Sequence, residues 1–211
     1  VGELSNLYTG NDARVAKVLR AVREKVLDPR SMRALGFCVS VDHARYMAEK
    51  FKDAGIRAVA ISAETPTDER RDAIRRLGIG ETNVVFAVDL FNEGLDVPQV
   101  DTVIFLRPTE SATVFIQQLG RGLRRTPGKE GLTALDFVGH QHKKFRFDLR
   151  LRALTRSSRR EVREQTEQDF PFLPAGCDID LDRDVKELVL QNLKQSLTTT
   201  WRQRVNALRD L

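Results

Sequence analysis

The chain has 211 residues, of which 41% are hydrophobic and 31% charged, and its formal net charge is +5. These values are typical of a soluble globular protein with one large domain, or with one domain and a helical appendage. No run approaches the roughly 18 apolar residues of a membrane-spanning helix, and the N-terminus lacks the pattern of a secretion signal. The two cysteines, Cys38 and Cys177, lie far apart and outside any C-x-x-C pair. This spacing argues against a structural metal site and predicts reduced thiols in a cytoplasmic protein.

Short apolar runs alternate with amphipathic segments over the first two thirds of the chain. Predicted strands cover residues 34–39, 57–61, 83–88, 101–106 and 132–137. Predicted helices run from the Asn11-Asp12 cap to the residue before Pro29, and over 43–54, 67–77 and 111–123. This alternation predicts an α/β fold, a parallel sheet flanked by helices, which binds ligands at the carboxyl ends of its strands.

The pattern changes after about Gly139, where only helices are predicted, over 141–155, 159–168 and 182–197. We therefore expect three parts. They are an N-terminal linker helix over residues 1–30, a sheet domain over 31–139 and a helical C-terminal extension over 140–211.

The strongest chemical signal is the pattern Q-x-x-G-R-x-x-R that begins at Gln117. Arg121 and Arg124 are three residues apart, which would place them on one face of the predicted helix. Two guanidinium groups on one face suit a phosphate chain, and Gly120 would leave room for its approach. A solvated basic helix end, stabilised by the helix dipole, explains the same residues equally well.

Two further elements follow predicted strands. Beyond the third strand, Gly94 and Asp96 suit a nucleotide ribose or a moving loop, although a turn with Gly and Pro is also common there. Beyond the first strand, Ser40 suits either the cap of the next helix or a phosphate contact.

In order and spacing, these elements resemble the C-terminal RecA-like motor domain of superfamily 2 helicases over residues 36–137. The similar stretches are 38–44 to motif IV, 62–70 to the S-G-x-x-x-x-x-x-R element, 87–98 to motif V and 117–124 to motif VI. Two residues depart from the family pattern. Ala63 replaces the usual Gly, and Val88 stands where motif V often has Thr.

Further phrases resemble a bacterial, restriction-enzyme-like DEAD/DEAH-box subgroup, whose members often carry a phospholipase-D-type nuclease module. They lie at residues 89–98, 105–111, 145–149 and 169–177.

The resemblance implies that ATP and Mg²⁺ lie between two lobes, held mainly by a first RecA-like lobe. Arg121 and Arg124 would then reach the γ-phosphate as arginine fingers, and Gln117 would position that phosphate or the attacking water. Gly94, Asp96 and Gly120 would line the nucleotide site.

The resemblance also implies a nucleic-acid track on the other side of the lobe. Its contacts to DNA or RNA would come from Ser40, Ala63, Glu64 and Asp89. Contacts of this kind to phosphates bind without reading sequence.

Two motifs that hold ATP and Mg²⁺ are missing from this sequence, the P-loop and a D-E-x-x strand. The stretch from Gly122 to Lys129 has one residue too many between its glycines, and Glu130 stands where a P-loop has Ser or Thr. Asp68-Glu69 is better explained as the acidic start of a helix. The sequence therefore predicts half of a two-lobed ATPase, inactive by itself.

Alternatives remain at this stage. The main alternative is a non-enzymatic nucleic-acid-binding or regulatory lobe. A dinucleotide-binding enzyme is a weaker alternative, because it would need a G-x-G turn that this chain lacks. The basic stretch from Lys143 to Arg163 suits a nucleic-acid track or a solvated helical face. His140 and His142 have no third metal ligand nearby in the sequence.

Overall fold

The computed structural model describes residues 10–88, 97–108, 112–124, 126–137 and 147–197. Its five strands are β1 Ala34–Phe37, β2 Ala58–Ile61, β3 Val84–Ala87, β4 Thr102–Phe105 and β5 Thr133–Asp136. Its helices are α1 Asp12–Lys25, α2 Val41–Asp53, α3 Thr67–Gly78, α4 Ala112–Gly120, α5 Phe147–Thr155, α6 Arg159–Glu167 and α7 Arg183–Leu197. They group into two units, which we call the sheet unit (Val1–Thr109 with Gln117–Val138) and the helical unit (Glu110–Ile116 with Gly139–Leu211).

The five strands form one parallel sheet in the order β2-β3-β1-β4-β5, flanked by helices. The predicted α/β fold is confirmed. All residues of the three central strands, β1, β3 and β4, are buried. A parallel strand that is covered on both faces is apolar throughout, which is why these strands were visible in the sequence as continuous apolar runs.

Close packing in the centre of the sheet explains a glycine in a strand. A Cβ on Gly36 would lie 2.3 Å from Cδ1 of Phe86 on the neighbouring strand. The Phe86 ring in turn meets Phe51 of α2 edge to face, with ring centroids 5.0 Å apart. Gly36 thus makes room for an aromatic pair that joins the sheet to α2.

A buried amide ties the start of the sheet together. The Asn83 side chain is only 2% exposed and lies just before β3. Its Nδ2 donates to the carbonyl oxygens of Arg30 at 2.6 Å and Met32 at 3.2 Å. Its Oδ1 accepts from the backbone N–H and the Nε of Arg57. One side chain therefore satisfies groups on the approaches to β1 and β2.

The first helix begins at the predicted cap and belongs to the core of the sheet unit. Asn11 accepts a hydrogen bond from the backbone N–H of Arg14 at 3.0 Å. Val15, Val18 and Val22 of α1 lie in the same buried cluster as the sheet. The predicted three-part division of the chain stays a prediction, but α1 is packed here rather than set apart.

The predicted helix over 111–123 is too long at its C-terminal end, because α4 ends at Gly120. Beyond it, the N–H groups of Arg121, Gly122 and Leu123 donate to carbonyls three residues back. The chain thus tightens into successive turns where Gly120 and Gly122 interrupt the helix. The expectation that Arg121 and Arg124 share a helix face is therefore wrong, since both follow the end of α4.

Helices α5, α6 and α7 lie in the described part of the helical unit. Ser158 and Glu161 form a reciprocal capping box at the start of α6. Val162 of α6 packs in the interior of this unit, as do Val189 and Leu193 of α7. Within the described residues of both units, no helix could cross a membrane and no group of three or more His, Cys, Asp or Glu side chains could hold a metal ion.

Candidate functional site

The predicted nucleic-acid residues in the described part of the sheet unit lie at the carboxyl edge of the sheet. Ser40 follows β1, and Ala63 with Glu64 follows β2. Strands β1 and β2 are both parallel neighbours of β3, so their carboxyl ends lie on the same side of the sheet. This edge is where parallel α/β sheets present their loops to ligands.

Ser40 is the N-cap of α2, and its Oγ accepts a hydrogen bond from the backbone N–H of His43 at 3.2 Å. Capping uses a lone pair of the hydroxyl oxygen, whereas a phosphate would accept from its hydrogen. The two roles weighed for Ser40 are therefore compatible, and the first is present.

The turn that carries Ala63 and Glu64 is held by Arg70, a buried guanidinium in the first turns of α3. Its Nη1 donates to the carbonyl oxygens of Ala63 at 3.1 Å and Thr65 at 2.8 Å. Within the turn, the N–H of Ser62 donates to Thr65 Oγ1 and the N–H of Glu64 donates to Ser62 Oγ. The turn is thus fixed before any ligand arrives.

These hydrogen bonds also limit what the turn can offer to a phosphate. The Glu64 N–H and the Ala63 carbonyl are both engaged within the turn. What Glu64 exposes is a carboxylate, which repels phosphate. The role of Ala63 and Glu64 in nucleic-acid binding therefore stays a prediction without added support, whereas the role of Arg70 in shaping the turn is plain.

The arginine segment, Arg121–Arg124, lies near the opposite edge of the sheet, where the strands begin. A Cβ on Gly122 would lie 2.3 Å from Cδ1 of Leu132, the residue just before β5. Lys129 joins the same segment to Pro98, four residues before β4, through bonds to the carbonyls of Pro98 at 3.3 Å and Arg124 at 2.9 Å. Two independent contacts therefore place this segment at the amino edge.

The predicted nucleotide residues in the arginine segment and in the last turn of α4 are at least partly exposed to solvent. The side chains of Gln117 and Arg124 are exposed and that of Arg121 is half-buried. Among the described residues outside its own helix backbone and chain neighbours, none has a heavy atom within 4 Å of a Cβ placed on Gly120. There is therefore space beside Gly120, and its predicted role in the nucleotide site stays a prediction.

The structural roles of two residues near Arg121 and Arg124 are not predicted by the sequence pattern. Gly122 lies close to Leu132, a contact between segments that spacing cannot reveal. Lys129 was considered only as a P-loop lysine, but its ammonium group donates to three backbone carbonyls. The local signal was the Thr-Pro-Gly-Lys turn, in which Gly128 has a φ of 79° and the Lys129 N–H bonds to the Thr126 carbonyl.

Other candidate residues lie outside the described residues. They are Asp89, Gly94, Asp96, His140, His142, Lys143, Lys144 and Arg146. Their predicted roles stay predictions.

Burial keeps two titratable side chains near the end of β1, Cys38 and His43, in their neutral forms. Cys38 is fully buried, and burial raises the pKa of its thiol. His43 is 1% exposed, and its Nδ1 accepts from the backbone N–H of Val39 at 3.3 Å. Burial, with a smaller contribution from the charge of Arg14, lowers the pKa of His43 to about 4. A neutral, buried imidazole is a structural residue here and not a general base.

Solved structures support the fold. The C-terminal domain of Saccharomyces cerevisiae Dbp5, seen bound to Gle1 and IP6, shares 18% identity and covers 88% of this chain and 95% of that one, with a TM-score of 0.51. The Escherichia coli DEAD-box protein SrmB, seen bound to RraA, shares 23% identity over 70% of this chain and 80% of that one, with a TM-score of 0.54. Both likenesses concern the fold alone.

Sequence relatives carry the family assignment. The IRC3 protein of S. cerevisiae, whose name describes an ATP-dependent helicase, is 33% identical over 66% of this chain and 20% of its own length. UvrABC system protein B of Thermosipho africanus is 38% identical over 47% of this chain and 16% of its own length. The chain thus spans about a fifth of the length of these relatives. Residues 16–126, more than half of the chain, match the family "Helicase conserved C-terminal domain", and the chain therefore belongs to that family and is homologous to superfamily 2 helicases.

Proposed function

We propose that this chain is the second motor lobe of a longer ATP-dependent helicase or translocase of superfamily 2. In that protein, a first RecA-like lobe holds ATP and Mg²⁺, and this lobe contributes arginine fingers and part of a track for DNA or RNA. Membership of the helicase C-terminal family supports the proposal, as does the small share of its relatives that the chain spans.

The observation that carries the proposal is the separation of the two candidate sites. The arginine segment lies beside the residues that precede β4 and β5, whereas Ser40 and the Ser62–Thr67 turn follow the carboxyl ends of β1 and β2. A motor must bind nucleotide and nucleic acid at the same time without competition between them. Two sites on opposite edges of one rigid sheet meet that requirement.

The amino edge fits the phosphates of ATP. Arg124 is exposed, Arg121 is half-buried, and the space beside Gly120 is open. Each guanidinium can donate two parallel hydrogen bonds to phosphoryl oxygens. Following the resemblance to superfamily 2 motors, we assign Mg²⁺ to the first lobe.

In this arrangement the residues of this chain would stabilise negative charge on the phosphates of ATP. ATP supplies the phosphoanhydride bond. Arg121 and Arg124 stabilise the negative charge that grows on its phosphoryl oxygens, and Gln117 orients the γ-phosphate or the attacking water. Gly94 and Asp96 would complete the nucleotide site from the segment that precedes Val97.

The carboxyl edge would follow the nucleic-acid backbone. Ser40 lies at the start of α2, and Asp89 would contribute from the segment that follows Val88 in the sequence. Contacts of this kind read phosphate and not base sequence, so they serve a motor that moves along any sequence.

The decisive experiment is Arg124→Ala in the longer protein, with Arg20→Ala on the exposed side of α1 as the matched control. Turnover of ATP should fall by roughly 10³-fold or more, because an arginine finger acts on the transition state. The Kd for a non-hydrolysable ATP analogue should change far less. Arg20→Ala should leave both unchanged.

Equal losses of turnover and binding would mean that Arg124 only binds nucleotide. Before these variants are made, the sequence of the gene upstream of this chain should be determined. A P-loop and a D-E-x-x strand encoded upstream support the proposal, and a phospholipase-D-type module would place the protein in the restriction-enzyme-like DEAD/DEAH-box subgroup. A native product without them would refute the ATPase reading and favour a non-enzymatic nucleic-acid-binding or regulatory lobe. Magnesium-dependent turnover by the 211 residues alone would refute the two-lobe proposal.

A further inference from the structure

Lys129 holds the arginine segment through an unusual number of backbone contacts. Its Nζ donates to the carbonyl oxygens of Gly122, Arg124 at 2.9 Å and Pro98 at 3.3 Å. A lysine ammonium has three N–H donors, and here each has a carbonyl acceptor. Two of these acceptors belong to the segment that carries Arg121 and Arg124.

The three carbonyls explain why a lysine stands at this position. The carbonyls of Gly122 and Arg124 lie beyond the end of α4, where no helical N–H follows to bond with them. A cation at the C-terminal end of a helix is also favoured by the helix dipole. Burial lowers the pKa of Lys129, against a smaller opposite effect of Asp101, so part of the hydration of the ammonium has been exchanged for these carbonyls.

The chain directs Lys129 to this point through a tight turn. Pro127 and Gly128 occupy the two central positions, and the positive φ of Gly128, 79°, suits the third residue of a type II turn. The backbone N–H of Lys129 closes the turn on the carbonyl of Thr126 at 3.2 Å. The turn reverses the chain and returns the side chain to the segment it has just left.

We propose that Lys129 is the positioning residue of the arginine segment, which it fixes to the stretch before β4. This inference rests on the proposed function of Arg121 and Arg124. Lys129 does not contact nucleotide in this scheme. It restricts where Arg124 can point, and through Pro98 it joins motif VI to the end of the motif V stretch, residues 87–98. A displacement of about 1 Å in a catalytic group can cost on the order of 10²-fold in rate.

The test is Lys129→Met in the longer protein, with the exposed Lys52→Met as the matched control. Lys129→Met keeps most of the side-chain volume and removes all three donors. We expect the kcat for ATP hydrolysis to fall by roughly 10- to 100-fold while the KM for ATP stays within about two-fold. Lys52→Met should match the wild type.

A double variant separates positioning from general damage to the fold. If Lys129 acts through Arg124, adding Lys129→Met to Arg124→Ala should cost little further turnover, because residues that act as a unit are not additive. A further loss as large as that in the wild-type background would overturn the proposal. So would wild-type kcat in Lys129→Met.

Lys129→Arg covers the case in which Lys129→Met does not fold. It keeps the charge, but its planar fork cannot direct three N–H groups to converging carbonyls from one atom. We expect an intermediate loss of kcat that disappears in the Arg124→Ala background, and wild-type kcat would overturn the inference. If Arg124→Ala itself leaves turnover intact, the proposed function fails; if Arg124→Ala lowers turnover and the Lys129 variants do not, only this inference fails.

Discussion

The edge loops of the sheet unit and the surface of the helical unit use charged and polar side chains in different ways. In the sheet unit, Arg70, Asn83 and Lys129 direct their donors to backbone carbonyls of loops at the two edges of the sheet. In the helical unit, exposed arginines pair with acids one turn away, as Arg160 does with Glu164 and Arg183 with Glu187. The first kind of contact fixes the backbone of loops, and the second lies on a solvent-exposed helix surface.

This difference separates residues that fix the backbone of loops from residues that form ion pairs on an exposed surface. A buried donor bonded to a loop carbonyl fixes backbone geometry, and its loss leaves the carbonyl unpaired. An exposed ion pair gains little, because water and salt screen it. Exposed pairs such as Arg160 with Glu164 therefore carry little consequence for the fold, whereas single side chains such as Lys129 carry more.

The largest effect on stability is expected from Asn83→Ala in the sheet unit. The change removes four hydrogen bonds and leaves the carbonyl of Met32 and the backbone N–H of Arg57 without this partner. The free energy of unfolding should fall by roughly 3 to 5 kcal/mol. Urea denaturation of the chain, followed by circular dichroism, measures it.

Asn83→Asp is the matched control for the two roles of this side chain. It keeps an acceptor for Arg57 and loses the donors for the carbonyls of Arg30 and Met32. It should also destabilise the chain, because a carboxylate would then face two carbonyl oxygens. A change below about 1 kcal/mol in both variants would contradict the view that loop carbonyls depend on this residue.

His43 gives the sheet unit a pH dependence of its own. Its pKa is lowered to about 4 in the fold, so between about pH 6.5 and pH 4 the unfolded chain binds the proton that the folded chain does not. Stability therefore falls as the pH falls through this range. His43 should account for roughly 2 kcal/mol of the loss between pH 7 and pH 4.5.

The comparison with His43→Asn isolates this contribution from that of the carboxylates. The Asn Oδ1 can replace Nδ1 as the acceptor for the backbone N–H of Val39, and it does not titrate. The difference in unfolding free energy between the two proteins should shift by roughly 2 kcal/mol from pH 7 to pH 4.5. A difference that is constant with pH would mean that the His43 imidazole takes up its proton as readily in the fold as in the unfolded chain.

Local patterns predicted the sheet and missed the contacts between distant segments. The apolar runs predicted all five strands, and the signal is continuous in the three central strands because they are buried on both faces. Asn11 and Ser40 were visible as caps, since capping depends on neighbours in sequence. The ends of helices are harder to predict: α4 ends at Gly120, three residues before the predicted Leu123, and Gly122 lies in the turns beyond it.

The candidate site shows the same limit. The Q-x-x-G-R-x-x-R pattern predicts Arg121 and Arg124 as phosphate ligands from residue type and spacing, and that role stays a prediction. The roles of Gly122 and Lys129 depend on Leu132 and Pro98, which come close only in the folded sheet unit. A spacing rule tested Lys129 as a phosphate ligand and could not show that its ammonium faces backbone carbonyls.

The smallest effect is expected in the helical unit, from Arg160→Ala. Its Nε lies 3.0 Å from Glu164 Oε1, but the arginine side chain is 87% exposed. An exposed pair one turn apart stabilises a helix by about 0.3 to 0.5 kcal/mol, and alanine returns part of that through its higher helix propensity. The free energy of unfolding in 0.15 M salt should therefore change by less than about 0.5 kcal/mol. A loss comparable to that of Asn83→Ala would mean that surface charge supports this unit as buried donors support the sheet, and the contrast between the two units would disappear.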